Sequence, residues 1–311
     1  MPCLACPVSH DLGSSSIPED TLSTMNPLFL EGQPVADAVL AGLRPRIAAL
    51  KTAGLTPGLG TLLVGDDPAS ASYVRRKHAA SAALGVASFH RALPQSATQA
   101  EVLRAVRELN EDERIHAYLV QHPLPNGLDF AGALSAVDPR KDADGLHPVN
   151  LGKLVLQQDG PVPCTPAGIR ELLLHYRIQT EGREVVVVGR GPTLGRPLAL
   201  LLSLKGRGAD AAVTVVHSGV PDLSRYTRRA DIVVAAVGRP GIVTREMVRP
   251  GAAVVSGGIS WAGKRLLPDV AEDVAEVAGA ITPRLGGVGP TTVAMLLANT
   301  VAAAERQQRG G

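Results

Sequence analysis

Tyr73 and Lys77 stand four residues apart in VGDDPASASYVRRK, a spacing that puts an aromatic ring and an amine on one helical face. An amine stripped of water can lower its pKa enough to trade protons near neutrality, so Lys77 is a candidate general base and acid. Gln121, in LVQHPLP, is expected at the carboxyl end of a strand, where a carboxamide can orient an amine or a substrate oxygen. DPRKDADGLHPVNLGKL then supplies Asp138, Asp142 and Asp144 ahead of Gly145. A calcium loop is excluded, because position 153, which would have to be Glu, is Lys. The surviving reading is a hinge that brings one carboxylate to a cleft. On the helix alone, Tyr73 as a packing ring and Lys77 as a surface charge remains the competing reading.

A second constellation lies in VVVVGRGPTLGRP, where Gly189, Gly191 and Gly195 follow a run of valines. Four valines in a row read as a strand buried on both faces in a parallel sheet, and a helix is expected over 193–204. Glycines let the backbone pass close to a pyrophosphate, and the helix start offers it unpaired N–H groups. The third glycine comes one residue later than in G-x-G-x-x-G, and a tight turn without ligand is the competing reading. The next strand ends in Val216, His217 and Ser218, with no acid to hold an NAD ribose. Arg190 and Ser218 could instead meet a 2′-phosphate, so NADP is the expected cofactor and NAD the alternative. TPRLGGVGPTTVAML places Gly286, Gly287, Gly289 and Pro290 before the last helix, a bare loop open to a flat ligand or simply a connector.

The elements that must position these residues follow from periodicity. Helical patterns over 35–53, 69–84 and 101–109 alternate with strands at 59–64, 86–90 and 117–121, the last halted by Pro123 and Pro125. After a helix announced by Pro166, strands are expected at 184–188, 212–216, 232–236 and 252–255. A closing helix over 291–305 is expected to pack back on the first unit. The fold expectation is α/β: two α/β domains, the second a Rossmann-like doubly wound parallel sheet. Residues 1–26 lack any period and read as a disordered extension, in which Met25 offers an internal start. Cys3, Cys6 and His10 make half a zinc site, short of four ligands.

Composition excludes several classes. The 311 residues suffice for two cores, and a net charge of +2 with no dense cationic run argues against nucleic acid. No apolar run reaches the roughly 20 residues of a bilayer span, and three cysteines make no disulfide framework, so a reducing cytoplasm is expected. Only six lysines stand against 25 arginines, which makes each retained lysine mildly informative.

Taken in order, VGDDPASASYVRRK, LVQHPLP, KDADGLHPVNLGKL, PCTPAG, VVVVGRGPTLGRP, TVVHS and GGVGPTTVAML resemble the bifunctional methylenetetrahydrofolate dehydrogenase/cyclohydrolase family over roughly 27–307. The resemblance implies a homodimer in one-carbon metabolism that binds folate between its domains and NADP on the second. It also implies domains at 27–147 (with helix 291–307) and 148–290. By the same resemblance the catalytic lysine is Lys77, with Tyr73, Gln121 and Asp144 beside it. Asp144 and Tyr73, with Gly287, Gly289 and Pro290, bind substrate; Gly189, Arg190, Gly191, Gly195, Ser218 and Ile259 bind cofactor. Three departures cluster near the cofactor: Gly191 replaces the family's usual serine, Ser256 the usual aspartate, and TPRLGG the usual TPVPGG. A hydroxy-acid or amino-acid dehydrogenase would need a His–carboxylate pair, which the sequence does not offer convincingly. A folate-binding homologue that has lost one activity, or uses NAD, is the remaining alternative.

Overall fold

The computed structural model describes residues 26–262 and 265–310; of the expected extension, residues 1–25, including Cys3, Cys6 and His10, lie outside them. The chain opens with β1 (Leu28–Phe29) and α1 (Gly32–Thr52), whose Val35, Leu43, Ile47 and Leu50 form one buried stripe. The first α/β unit follows: β2 (Gly58–Val64), α2 (Pro68–Leu84), β3 (Ala87–Leu93), α3 (Gln99–Glu111), β4 (Ala117–Val120) and α4 (Phe130–Ser135). Local signals set these boundaries. Asp67 accepts the Ser70 N–H at the start of α2, Gly85 in the left-handed region ends it, and Thr98 with Glu101 forms a capping box on α3. The three strands pair in parallel in the order β3-β2-β4, with β2 buried throughout.

Two helices, α5 (Pro148–Val155) and α6 (Cys164–His175), lead into the second unit. It holds β5 (Glu184–Val188), α7 (Gly195–Ser203), β6 (Ala212–Val216), α8 (Ser224–Thr227), β7 (Ile232–Ala235), β8 (Ala253–Ser256), the hairpin β9 (Ile259–Ala262) and β10 (Arg265–Pro268), and β11 (Ala280–Ile281). Its parallel sheet runs β1-β11-β8-β7-β5-β6. The order reverses between β5 and β7, and open α/β sheets bind ligands at such a switch point, beyond the strand carboxyl ends. The valines of β5 are fully buried, as a strand covered on both faces requires.

The structure departs from the sequence expectations at several elements, among them the unexpected short helices α4 and α5 and a β3 that runs to Leu93. Residues 28–29, expected within the first unit, instead add an edge strand to the second sheet. β11 and the β9–β10 hairpin were not expected, because two-residue strands carry no period and Gly257-Gly258 masks the hairpin's start. The helix expected from 193 begins at Gly195, since Leu194 has non-helical backbone angles. The final helix, α9 (Val288–Gly310), starts earlier than 291, so Gly289 and Pro290 occupy its first turn. As expected, α9 packs back, lying against α1 and α6 with Leu296, Leu297, Val301 and Ala304 buried. Arg46 of α1 and Glu305 of α9 pair through two hydrogen bonds of 2.8 and 2.7 Å.

Candidate active site

The carboxyl end of β4 and the middle of α2 meet at one point. Lys77 is 4% exposed, and its Nζ donates to Gln121 Oε1 at 3.1 Å. Gln121 is held from its other end, where Nε2 donates to the His122 carbonyl at 2.8 Å and its backbone N–H to Leu62 O. That fixes which amide atom faces the lysine. The Lys77 Nζ also stands 4.5 Å from the Tyr73 ring centroid, within cation–π range. Burial lowers the Lys77 pKa, against an opposing pull from the Asp144 carboxylate. The same enclosure raises the Tyr73 phenol, so it stays protonated.

The three aspartates of the hinge divide their tasks. Asp138 forms a bidentate pair with Arg140 at the surface. Asp142 is buried and accepts the N–H groups of Gly145 and His147 and the Asn150 amide, which closes the loop on itself. Before it, Tyr118 of β4 donates to Lys141 O and accepts from Ala143 N, so residues 141–143 extend the first sheet. Asp144 is left at the apex. Its backbone carbonyl accepts from Cys164 N at 3.1 Å, whereas among the described residues no donor bonds its carboxylate. Burial raises the Asp144 pKa, with Lys77 as the opposing influence. A half-buried carboxylate with free lone pairs beside a buried amine and an aromatic face can bind a flat heterocycle that offers N–H donors.

Sequence reasoning missed Cys164 as part of this neighbourhood. It is a free, buried thiol at the start of α6, held up in pKa by burial and by the Asp144 carboxylate, and its Sγ donates to Ala143 O at 3.3 Å. A cysteine kept inside PCTPAG was the available signal.

The glycine turn lies at the switch point of the second sheet. Gly189 has φ +120°, and a Cβ there would overlap the Ala236 carbonyl at the end of β7. A Cβ on Gly195 would overlap the Gly189 carbonyl, so the helix can approach the strand only because both are bare. Gly191 has open space around it, and packing does not demand a glycine there. No side chain caps the start of α7; Arg196 N–H is bonded to Gly191 O, Pro197 has no N–H and Leu198 N–H is bonded to Leu194 O, so the Gly195 N–H is the helix-start donor left for an anion. Arg190 is exposed and its Nη1 donates to His217 Nε2 at 3.1 Å, beside the exposed Ser218. Gly219 N also points at His217 Nδ1, at 3.1 Å. A guanidinium carries five N–H donors and this contact uses one, so Arg190 keeps capacity toward an anion. The donor set and the bare approach fit a dinucleotide with a phosphorylated ribose.

Beyond the glycine turn, the buried Asp269 carboxylate accepts from Val237 and Gly238 N–H at 2.7 and 2.9 Å. Ser256 bridges by accepting from Asp269 N and donating to Gly258 O. Ile259 opens β9 just beyond. Gly287 is buried, while Gly289 is exposed with open space about it.

Comparison with known proteins gives the following. Residues 30–144 match the catalytic domain of the tetrahydrofolate dehydrogenase/cyclohydrolase family and residues 163–308 its NAD(P)-binding domain. The chain is 64% identical over 285 residues to the bifunctional protein FolD of Syntrophotalea carbinolica, covering 92% of this chain and 98% of that one. It is 58% identical over 277 residues to bifunctional protein FolD 1 of Salinispora tropica, covering 89% and 90%. Among solved structures, the N5,N10-methylenetetrahydrofolate dehydrogenase-cyclohydrolase of Trypanosoma brucei, complexed with NADP cofactor and inhibitor, is 42% identical with a TM-score of 0.86, covering 91% of this chain and 99% of that one.

Proposed function

The chain belongs to the tetrahydrofolate dehydrogenase/cyclohydrolase family, and from that premise we propose that it oxidises 5,10-methylenetetrahydrofolate with NADP and hydrolyses the 5,10-methenyl product to 10-formyltetrahydrofolate. One observation carries the assignment of roles: a buried lysine bonded to Gln121, under a tyrosine ring, near an aspartate whose carboxylate has no donor among the described residues.

Asp144 accepts hydrogen bonds from the amino-pyrimidine edge of the pterin, and Tyr73 offers its ring face, so the one-carbon bridge is fixed beside Lys77. Gly287, Gly289 and Pro290 line the opposite wall, where the two glycines leave room for the flat ring. The cofactor supplies a hydride acceptor. Gly189, whose own N–H is bonded to Val216 O, lets the backbone pass close to the pyrophosphate, Gly191 and Gly195 give it backbone N–H groups, Arg190 and Ser218 receive the 2′-phosphate, and the chain at Ile259 borders the nicotinamide.

Loss of hydride leaves the bridge carbon as an amidinium-like cation, which a charged ammonium alongside would oppose. The lowered pKa of Lys77 answers this, because a neutral amine is accessible near physiological pH. Water then adds to the cation. Lys77 takes the proton released and returns one to N5 as the C–N5 bond breaks, while Gln121 Oε1 keeps the amine oriented.

The reading includes a homodimer in the cytoplasm. The scarcity of cysteines, with Cys164 unpaired, supports the compartment, and sedimentation at micromolar concentration tests the oligomer. Among the described residues no helix is long and apolar enough to cross a membrane. The activity is tested by absorbance after mixing enzyme, methylenetetrahydrofolate and NADP: methenyl absorbance must rise and then decay faster than without enzyme. A rise with NAD clearly faster than with NADP would overturn the role given to Arg190.

A further inference from the structure

Asn299 lies on α9, three helical turns beyond the glycine-rich wall of the cleft, and its amide reaches out of the helix to two loops at once. Nδ2 donates to Ala143 O at 2.9 Å and to Val162 O at 2.9 Å, and it stands 3.5 Å from Cys164 Sγ. One side-chain nitrogen with two hydrogens thus meets two carbonyls from different segments. Ala143 is the residue before Asp144. Val162 precedes Pro163 and α6, whose first residue, Cys164, donates its N–H to the Asp144 carbonyl and its thiol to Ala143 O.

We infer that Asn299 is a positioning residue for substrate: it sets the distance between the Asp144 carboxylate and the glycine-rich loop that opens α9. The argument is geometric. Pro290 and Asn299 belong to one helix, nine residues and about 14 Å apart, so they move as a rigid unit. The Asp144 loop is fixed to the first sheet through Tyr118 and to itself through Asp142, and Ala143 shares an apolar core with Leu296, Leu297 and Val301 of α9, but none of these contacts is a directional tie to α9. Asn299 makes that link, and does so on the carbonyl adjacent to Asp144. The Thr292 hydroxyl donating to Thr165 at 3.3 Å is a second, weaker tie between the same helices, nearer the cleft. With Asn299 gone, Ala143 O keeps only the weak thiol donor and Val162 O loses its side-chain donor, so apolar packing alone sets the spacing of the two walls of the pterin slot, less sharply than the amide does.

This rests on the proposed folate activity, and the experiment separates the two. Wild-type enzyme is assayed first; no methenyl formation there sinks the functional reading before any variant is made. Asn299→Ala is then expected to raise KM for the folate about tenfold in both reactions, since both use Asp144, with smaller changes in kcat. NADP affinity by calorimetry should stay within about twofold, because the glycine turn is untouched. Asn299→Leu refills the volume without restoring donors, so it should fail to rescue, and it carries the test if the alanine variant does not fold. Unchanged KM, rescue by leucine, or a parallel loss of NADP affinity would each overturn the inference.

Discussion

Replacing Lys77 with methionine should separate stability from catalysis in opposite directions. The amine is 4% exposed, and among the described residues its one hydrogen-bond acceptor is Gln121 Oε1 at 3.1 Å. Burial lowers its pKa from the ordinary 10.5, and each unit of such a shift costs the folded state about 1.4 kcal/mol when the amine is charged. Met fills a similar volume with no charge to desolvate, but it strands Gln121 Oε1, a penalty of about 1–3 kcal/mol. Burial is the leading cause of the lowered pKa, so losing the desolvated charge outweighs the stranded amide oxygen, and Lys77→Met should be more stable than wild type at pH 7. The sign is set by linkage: the unfolded lysine binds its proton more tightly, so the cost is complete below the folded pKa and vanishes as pH rises past 10.5. The melting advantage should therefore shrink from neutral toward strongly alkaline pH. Cyclohydrolase turnover should fall by about 10²–10⁴, the usual contribution of a positioned acid–base group. The assays are calorimetric Tm against pH and the decay of methenyl absorbance. A lower Tm at pH 7, or cyclohydrolase turnover within tenfold of wild type, would refute the reasoning.

Other perturbations have similarly defined outcomes. Asp144→Asn removes the carboxylate that holds the Lys77 pKa up, so the limb of the cyclohydrolase kcat–pH profile assigned to Lys77 should move to lower pH; a move to higher pH contradicts the assignment. Gly195→Ala forces a Cβ onto the Gly189 carbonyl and should abolish measurable NADP binding by calorimetry, whereas Gly191→Ser, with open space around it, should leave binding intact. Arg190→Ala should raise KM for NADP about tenfold or more and leave KM for NAD nearly unchanged, read from steady-state rates with both cofactors.

What could be read from the chain depended on whether a signal was local. The β5 valines and the helical face of Tyr73 and Lys77 are local patterns, and Lys77 does meet Gln121 where strand-end reasoning put both. Distant pairings left little trace. β1 finds β11 across some 250 residues, with only two residues on each side to encode it. Asn299 shows no period at all, because its partners are carbonyls, which every residue supplies. Folding also sets the three aspartates apart: Asp142 is consumed by its own loop and Asp138 by Arg140. Arg190 was expected against a phosphate and rests on His217, a neighbour that the strand end TVVHS contains but whose orientation it does not encode.

The account turns on where the folate lies, and a crystal structure with a non-reactive methenyltetrahydrofolate analogue and NADP tests it most directly. The pterin amino-pyrimidine edge should lie within hydrogen-bonding distance of the Asp144 carboxylate, with the bridge carbon beside Lys77 Nζ. An analogue bound elsewhere, or one whose bridge is out of reach of that nitrogen, would contradict it.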